Sequence, residues 1–382
     1  MAGKSIEIAD VIRAFHEPYL RQYGERMLPS HRRALHDILA CMTSEMGGAR
    51  YQCADCDETF WSYHGCRNRA CPRCHGRQIA TWIQDRTAQI LPCEYFHVVA
   101  TVPEELRGLF LREQKLCYGI LMKTATSALI ALAKGKRYIG ATPAIMAVLH
   151  TWTGQMHYHP HVHMLVSGGG LSQDGQTWHE AQSNFLVPVK KLSPMISQQF
   201  ADALRQERPD LFAQIPAKVW KREWCSFCKP VGTGRETVLQ YLARYVFRIA
   251  ITKNRILTMD ETHVTFRYKE NNTGKWKVER LPGVEFIRRF LLHVLPAGFH
   301  KVRYYGLWSA PNQSRHCAAQ LQLMLTQKQA IPATAIRLAD LAEEALAISE
   351  IESHDFIVKC PACKSEHVLL LERASRGGAV IT

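Results

Sequence analysis

The sequence predicts an α+β fold in which a mainly antiparallel sheet is preceded by a helical and zinc-ribbon domain. The first observation is the order of elements after residue 93: a strand, a helical region and two strands joined by a short link, as is typical of α+β proteins. The second is a run of alternating histidines that leads into an apolar segment. The third is a pair of Cys-x-x-Cys motifs upstream of that sheet.

Composition narrows the class of protein. Lys and Arg number 48 against 34 Asp and Glu, and this excess favours a polyanionic partner, nucleic acid first. No run of about 18 apolar residues occurs and the first residues lack the apolar stretch of a signal peptide, so we expect no membrane span and a cytoplasmic location. An odd count of 13 cysteines in such a chain favours metal ligands and thiols over disulfides.

Residues 5–45 have the apolar spacing of helices. Ile6, Val11, Ile12, Phe15 and Tyr19 fall near helical spacing, and Pro29-Ser30 can begin a second helix. We therefore expect a helical start to the first domain.

Two Cys-x-x-Cys pairs follow, Cys53-Ala-Asp-Cys56 and Cys71-Pro-Arg-Cys74. Each pair can form a tight knuckle, and four thiolates can close one tetrahedron around a zinc ion with a structural role. Further donors lie nearby and could replace one of the four or build a second site, an alternative that stays open: Cys66, Cys41, His64 and His75.

Four arginines interleave with the last of these cysteines: Arg67, Arg69, Arg73 and Arg77. They are candidates for a phosphate-contacting surface on DNA. The alternative is an ordinary solvated face, since runs of charge commonly have no partner.

The sheet begins with a β-branched and aromatic strand at 95–102, followed by a helical region to about residue 134 and a second strand at 144–152. The histidine segment, 156–166, is the third strand and is expected to be central in the sheet. Gly168-Gly169-Gly170 is expected to end it as a loop. A helix near 192–206 and a strand at 219–228 follow, and Cys225 and Cys228 inside that strand are expected to be packing residues.

In an extended segment alternate side chains share a face, so His159, His161 and His163 would form one line of imidazoles. Two neutral imidazoles on a strand can bind one cation. A single histidine is usually structural, but alternating histidines that lead into a buried strand favour metal binding.

Tyr241 and Tyr245 are four residues apart in a helical pattern, and Arg244 and Arg248 form a second such pair. Taken alone, the pattern is typical of core tyrosines with solvated arginines. Beside an imidazole-held cation in a basic chain, the phenols are candidate nucleophiles, with the arginines as DNA contacts. Attack of a phenol on a DNA phosphate would give a phosphotyrosine. Because this covalent bond conserves the energy of the cleaved phosphodiester, rejoining needs no nucleotide cofactor.

The residues also resemble those of a known family. His161-Val162-His163 resembles the His-hydrophobic-His motif of HUH endonucleases, and Tyr241-x-x-x-Tyr245 resembles the paired-tyrosine motif of rolling-circle transposases of the insertion sequence 91 family. Similar blocks cover most of the chain: 66–74, 96–103, 159–170 and 303–307.

The resemblance implies an HUH-type endonuclease domain that cleaves and transfers single-stranded DNA through a 5′-phosphotyrosine, with Tyr241 and Tyr245 as nucleophiles. It implies His161 and His163 as ligands of Mg²⁺ or Mn²⁺, with His159 as the best third ligand from strand geometry and Gln155 or Gln240 as lesser options. The implied partner is single-stranded DNA at element ends, with hairpins left open, as is the oligomeric state. A plasmid replication initiator or relaxase of the same chemistry, and a non-catalytic zinc-ribbon DNA-binding protein, remain alternatives.

Two strands, 256–268 and 276–281, flank a turn at 271–274, and helical patterns resume near 313–327 and 333–350. Cys360-Pro-Ala-Cys363 is half a zinc site unless Cys225 and Cys228 or a partner chain completes it. The patterns predict three domains: a helical and zinc-binding DNA-recognition domain at 1–92, a catalytic domain with the tyrosine helix at 93–310 and a helical region with a Cys-x-x-Cys motif at 311–382.

Overall fold

The structure, a computed structural model, describes residues 5–74, 89–182, 184–233, 238, 245–246, 249–270, 273–327, 358–377 and 380–381. The chain forms two compact units. The first contains Met1–Trp82, Ile249–Val294 and Glu343–Thr382, and the second contains Ile83–Arg248 and Leu295–Ala342. This division differs from three consecutive domains, because strands from distant parts of the chain pair with one another in each unit.

The first unit begins with the two expected helices, α1 (Ile8–Tyr23) and α2 (Pro29–Ala40). Helix α1 starts at a capping box in which the backbone N–H of Glu7 donates to the Asp10 carboxylate. Its apolar stripe, from Val11 to Phe15, is buried, as the spacing predicted. Pro29 stands at the first turn of α2, where a missing N–H costs nothing.

Two sheets complete the first unit. One has the order β13 (Val380–Ile381), β12 (Val368–Ala374), β1 (Gly48–Cys53) and β2 (Thr59–Tyr63). The other has the order β10 (Trp276–Pro282), β9 (His263–Lys269) and β8 (Ile256–Met259). The single strand expected over 256–268 is instead two strands, β8 and β9. A turn separates them, in which Asp260 accepts hydrogen bonds from the backbone N–H groups of Thr262 and His263.

Helix α7 (Gly283–Leu291) follows β10 and packs on α1. A Cβ on Gly283 would lie 2.3 Å from the Phe15 ring, so the close approach of these helices requires glycine there.

The second unit is built on a sheet of the described strands in the order β11 (Val302–Gly306), β4 (Thr142–Trp152), β5 (Tyr158–Leu171), β3 (Glu94–Thr101) and β7 (Cys225–Thr233), with β6 (Trp178–Glu180) pairing with β5. Every described pairing is antiparallel, and the histidine strand β5 is central between β4 and β3. The predicted antiparallel α+β architecture is confirmed.

The glycine run was wrongly predicted to be a loop. Gly168, Gly169 and Gly170 continue β5 and are buried. A Cβ on Gly170 would lie 2.5 Å from the Thr142 carbonyl oxygen, and one on Gly169 would lie 2.5 Å from the Trp178 ring. The neighbouring strands approach too closely for any side chain, and close approach of another chain segment is a common reason for glycine inside a strand.

The second unit's helices are α3 (Arg107–Arg112), α4 (Gln114–Ala133), α5 (Val189–Glu207), α6 (Pro209–Phe212) and α8 (Gln313–Gln327). Among the described helices, α4 alone has the length and composition of a membrane span, but 61% of that stretch is buried inside the protein, where the helix packs on α5 and β4. The expected helix at 333–350 lies outside the described residues.

The strand expected at 219–228 begins later than predicted. Ala217–Lys221 forms a 3₁₀ turn, and β7 starts at Cys225. The aromatic residues that suggested a strand instead pack on α5, with the Trp224 ring 5.0 Å from that of Phe200. Cys225 is buried, as expected of a packing residue.

Candidate active site and metal centres

Three histidines meet on one face of the central sheet. His161 lies opposite His150 in the pairing of β5 with β4, and cross-strand partners share a face. The ring centroids lie 4.5 Å apart for His150 and His163, 4.7 Å for His161 and His163, and 5.5 Å for His150 and His161. Each ring offers one nitrogen within 4.8 Å of those of the other two, a separation that one cation can bridge.

His159 is not the third member of this group, contrary to the expectation from strand geometry. Residues four apart on a strand are about 13 Å apart, whereas directly opposed residues on neighbouring strands are about 5 Å apart. His150 on β4 is therefore nearer to His163 than His159 is, although the ring centroid of His159 lies 5.2 Å from that of His161. The Nδ1 atom of His159 instead accepts a hydrogen bond from Arg107, at 3.0 Å from Nη2, and burial lowers the pKa of this imidazole.

Backbone carbonyls fix the ring orientations of His150 and His161. The Nε2–H of His150 donates to the Tyr245 carbonyl at 2.6 Å, and the Nδ1–H of His161 donates to the His159 carbonyl at 2.7 Å. In these tautomers the other ring nitrogen carries the lone pair, which is the form of imidazole that binds a metal.

His97 on β3 supports His163 in the same way. Its Nε2 atom lies 2.8 Å from His163 Nδ1, and both rings are buried. Burial, with a smaller contribution from the charge of His161, lowers the pKa of His97 to about 3, so this imidazole is neutral near pH 7 and can accept the His163 Nδ1–H bond. Sequence reasoning missed both His97 and His150, although each lies in a segment correctly predicted as a strand.

Tyr245 lies against this group. Its ring centroid is 4.4 Å from that of His163 and 4.8 Å from that of His97. Val246 beside it is buried, which anchors the segment. Gln155 lies in the turn that joins β4 to β5. Several of the predicted site residues lie outside the described residues: Tyr241, Gln240, Arg244, Arg248 and Arg77.

The cysteines form two clusters, not the single tetrahedron expected from the two N-terminal pairs. The first cysteine cluster contains Cys41, Cys66, Cys71 and Cys74, and the second contains Cys53, Cys56, Cys360 and Cys363. All 13 cysteines lie in the described part of the chain and none forms a disulfide. The two pairs do not meet because each is completed by cysteines that tertiary contacts bring from elsewhere.

The first cysteine cluster has the geometry of a zinc site. Sγ–Sγ distances are 3.5 Å for Cys41 and Cys74, 3.6 Å for Cys41 and Cys71, and 3.7 Å for Cys66 and Cys74. Four sulfurs around zinc at 2.3 Å are about 3.8 Å apart. The backbone N–H of Arg67 donates to Cys74 Sγ and that of Cys66 donates to Cys41 Sγ, and such donors stabilise the thiolate form that binds a metal.

The arginines around this cluster differ in their surroundings. Arg73 forms an ion pair with Glu7 and donates to the Cys41 carbonyl, so it helps to fix the cluster to the helices. Arg67 and Arg69 are exposed, and Arg67 adopts a left-handed backbone with φ of 55° directly after Cys66.

Two family models match the chain, a transposase zinc-binding domain over residues 11–102 and a putative transposase domain over residues 144–316. The putative transposase y4qJ of Sinorhizobium fredii (strain NBRC 101917 / NGR234) is 37% identical over 323 residues, which cover 80% of this chain and 81% of that protein. The transposase for insertion sequence element IS801 of Pseudomonas savastanoi pv. phaseolicola is 28% identical, over 70% of this chain and 68% of its own length. No solved structure gives a significant match.

A zinc-binding domain together with a histidine-bearing antiparallel sheet, matched in both parts to transposases, defines the class as a zinc-containing DNA transposase. The chain belongs to the insertion sequence 91 family of transposases.

Proposed function

We propose that this transposase cleaves single-stranded DNA at element ends and transfers it through a 5′-phosphotyrosine, with Tyr245 as one nucleophile. The observation that carries the proposal is the position of Tyr245, whose ring packs on His163 and His97 and whose carbonyl accepts a hydrogen bond from His150. A core tyrosine with no chemical role would not need to lie beside three imidazoles that converge.

The donor set fits a divalent cation. His150, His161 and His163 each offer a ring nitrogen within one small volume, and hydrogen bonds to the opposite ring nitrogens orient them. Three imidazoles favour Mn²⁺ over Mg²⁺, since Mg²⁺ prefers oxygen ligands. A bound cation would polarise the scissile phosphate and offset the charge that develops on it.

The protein's own residues account for the bonds made and broken. The Tyr245 oxygen forms a bond to phosphorus as the bond from phosphorus to the 3′ oxygen breaks. The phenol loses its proton and the departing 3′ oxygen gains one, which leaves a free 3′ hydroxyl. Attack by another 3′ hydroxyl on the phosphotyrosine reverses these changes, so transfer needs no nucleotide cofactor. By the family resemblance, Tyr241 provides a second phenol for a second DNA end.

The test is formation of a covalent adduct. Protein is incubated with Mn²⁺ or Mg²⁺ and 3′-labelled single-stranded DNA that carries an element end, and denaturing gels are read for label on the protein. We expect an adduct whose phosphopeptide maps to Tyr245 or Tyr241. The variant Tyr241→Phe with Tyr245→Phe should form none, and each single variant shows which phenol acts on a given end.

The control is Tyr138→Phe, since the Tyr138 ring packs on Phe185 and the change removes only a hydroxyl. It should form the adduct at the wild-type rate. An adduct that persists in the double variant would refute the tyrosine assignment. Cleavage without any adduct would indicate hydrolysis by water and contradict the proposed transfer. DNA binding without cleavage would favour the non-catalytic alternative.

A further inference from the structure

The second cysteine cluster unites two parts of the chain that are more than 300 residues apart. Cys53 Sγ lies 3.5 Å from Cys363 Sγ, and Cys56 Sγ lies 3.6 Å from Cys360 Sγ. These separations match the value of about 3.8 Å for sulfurs around one zinc ion, and they exclude disulfides, which need about 2 Å. The matched zinc-binding domain ends at residue 102 and so contains only half of this cluster.

The two Cys-x-x-Cys loops have the same backbone. In the first, Cys53 N–H donates to the Glu58 carbonyl and Asp57 N–H donates to the Cys53 carbonyl, at 2.9 and 3.0 Å. In the second, Cys360 N–H donates to the Ser365 carbonyl and Lys364 N–H donates to the Cys360 carbonyl, at 2.8 and 2.9 Å. The bonding pattern therefore repeats at equivalent positions of the two loops.

The fourth residue after the first cysteine also has the same unusual backbone in both loops. Asp57 has φ of 57° and Lys364 has φ of 66°, in the left-handed region that non-glycine residues rarely adopt. Two loops from distant parts of the chain thus adopt the same strained backbone and face each other with their thiols. This is the arrangement of two knuckles that bind one metal ion.

Apolar packing does not explain these thiols. Cys53 and Cys360 are fully buried, but Cys56 and Cys363 are exposed. Exposed thiols contribute little hydrophobic burial, whereas a tetrahedral metal site at a surface needs all four. Cys225 and Cys228 have the same spacing but lie inside strand β7 and in neither cysteine cluster.

We propose that the second cysteine cluster is a second structural zinc site that fastens the C-terminal strand β12 to β1. The site stands at the end of their antiparallel pairing, where Cys53 lies opposite Val368 and Ala54 N–H donates to the His367 carbonyl. Four thiolates close the coordination sphere, so the site holds the fold together and leaves no position for a substrate. It is independent of the chemistry proposed for Tyr245.

The test measures the number of zinc ions per chain in the purified full-length protein by elemental mass spectrometry. X-ray absorption spectroscopy identifies the atoms that bind the zinc. We expect two zinc ions per chain, both with sulfur ligands only. The variant Cys360→Ser with Cys363→Ser should hold one, and so should Cys53→Ser with Cys56→Ser. The spacing-matched control, Cys225→Ala with Cys228→Ala, should keep two.

Hydrogen exchange measures the structural role. Loss of the second zinc should speed exchange of the backbone amides of β12 by at least about tenfold and leave those of β5 unchanged. The wild-type count tests the proposal even where a variant fails to fold. One zinc in the wild-type chain, two in the Cys360 and Cys363 variant, or loss of zinc from the control would each overturn it.

Discussion

The chemistry proposed for this transposase depends on which imidazole accompanies His161 and His163. His150 reaches them across the sheet, and its other ring nitrogen is engaged with the Tyr245 carbonyl. His159 is engaged with Arg107. Loss of a metal ligand lowers metal affinity, whereas loss of a side chain bonded to arginine should leave it nearly unchanged. Metal affinity therefore distinguishes the proposed role of His150 from that of His159.

We predict that His150→Ala lowers DNA cleavage at least about 100-fold and raises the half-saturating Mn²⁺ concentration, because even partners of ligands are worth 10- to 100-fold. His159→Ala should change the half-saturating Mn²⁺ concentration less than about threefold. The His159 side chain is bonded to Arg107 and not to one of the three imidazoles, so its loss should cost less than the 10- to 100-fold that is typical of residues bonded to a metal ligand. The measurement is cleavage against Mn²⁺ concentration, with single-stranded DNA binding measured separately.

His150→Gln is the informative companion, because an amide oxygen can ligate a cation and should restore part of the activity at high Mn²⁺. Equal losses for His150→Ala and His159→Ala, or a loss confined to DNA binding, would contradict the assignment of His150.

At the level of the strands, the glycines of β5 explain how the histidine strand can be central. Strand β4 runs so close to Gly170 that an added Cβ would meet the backbone of Thr142, and the site depends on that pairing because His150 is on β4. Packing between strands and geometry of the site are thus set by the same register.

We predict that Gly170→Ala lowers the free energy of unfolding by about 1–3 kcal/mol, the usual cost of forcing a methyl group into a packed interior. The control is Gly119→Ala in α4, where nothing lies within 4 Å of an added Cβ and alanine should stabilise the helix by about 0.5–1 kcal/mol. Thermal and urea unfolding of both variants checks this. An unchanged stability for Gly170→Ala would mean that β4 and β5 are less closely paired than described.

For the whole molecule, a formal net charge of +14 predicts binding to DNA that weakens with salt. The slope of log affinity against log salt changes by about 0.7 for each phosphate contact on a single strand. If exposed Arg67 and Arg69 each contact a phosphate, replacing both with glutamine should reduce the slope by about 1.4.

The comparison uses fluorescence anisotropy at several salt concentrations. Arg13→Gln is the matched control, since Arg13 is an exposed arginine of the same unit paired with Asp10. A slope that is equal in both variants would remove Arg67 and Arg69 from the DNA-binding surface.

Local patterns determined much of this protein. The spacing of apolar residues gave α1 and α2, β-branched runs gave β3, β4 and β5, and alternation of histidines gave a candidate metal strand, because these features depend on neighbours in sequence. The resemblance of the motifs to insertion sequence 91 transposases is likewise a property of the sequence, and the comparisons confirm it.

Only the tertiary structure decided which residues complete each site. His150 joins His161 through strand register, and Cys360 joins Cys56 through the pairing of β12 with β1. The role of the glycines of β5 is also visible only in the tertiary structure, because they let β4 and β6 approach β5 closely. A ligand set needs atoms within a few ångströms, and sequence spacing fixes that distance only within one strand or loop. Between strands it is set by register, which depends on the packing of the whole sheet.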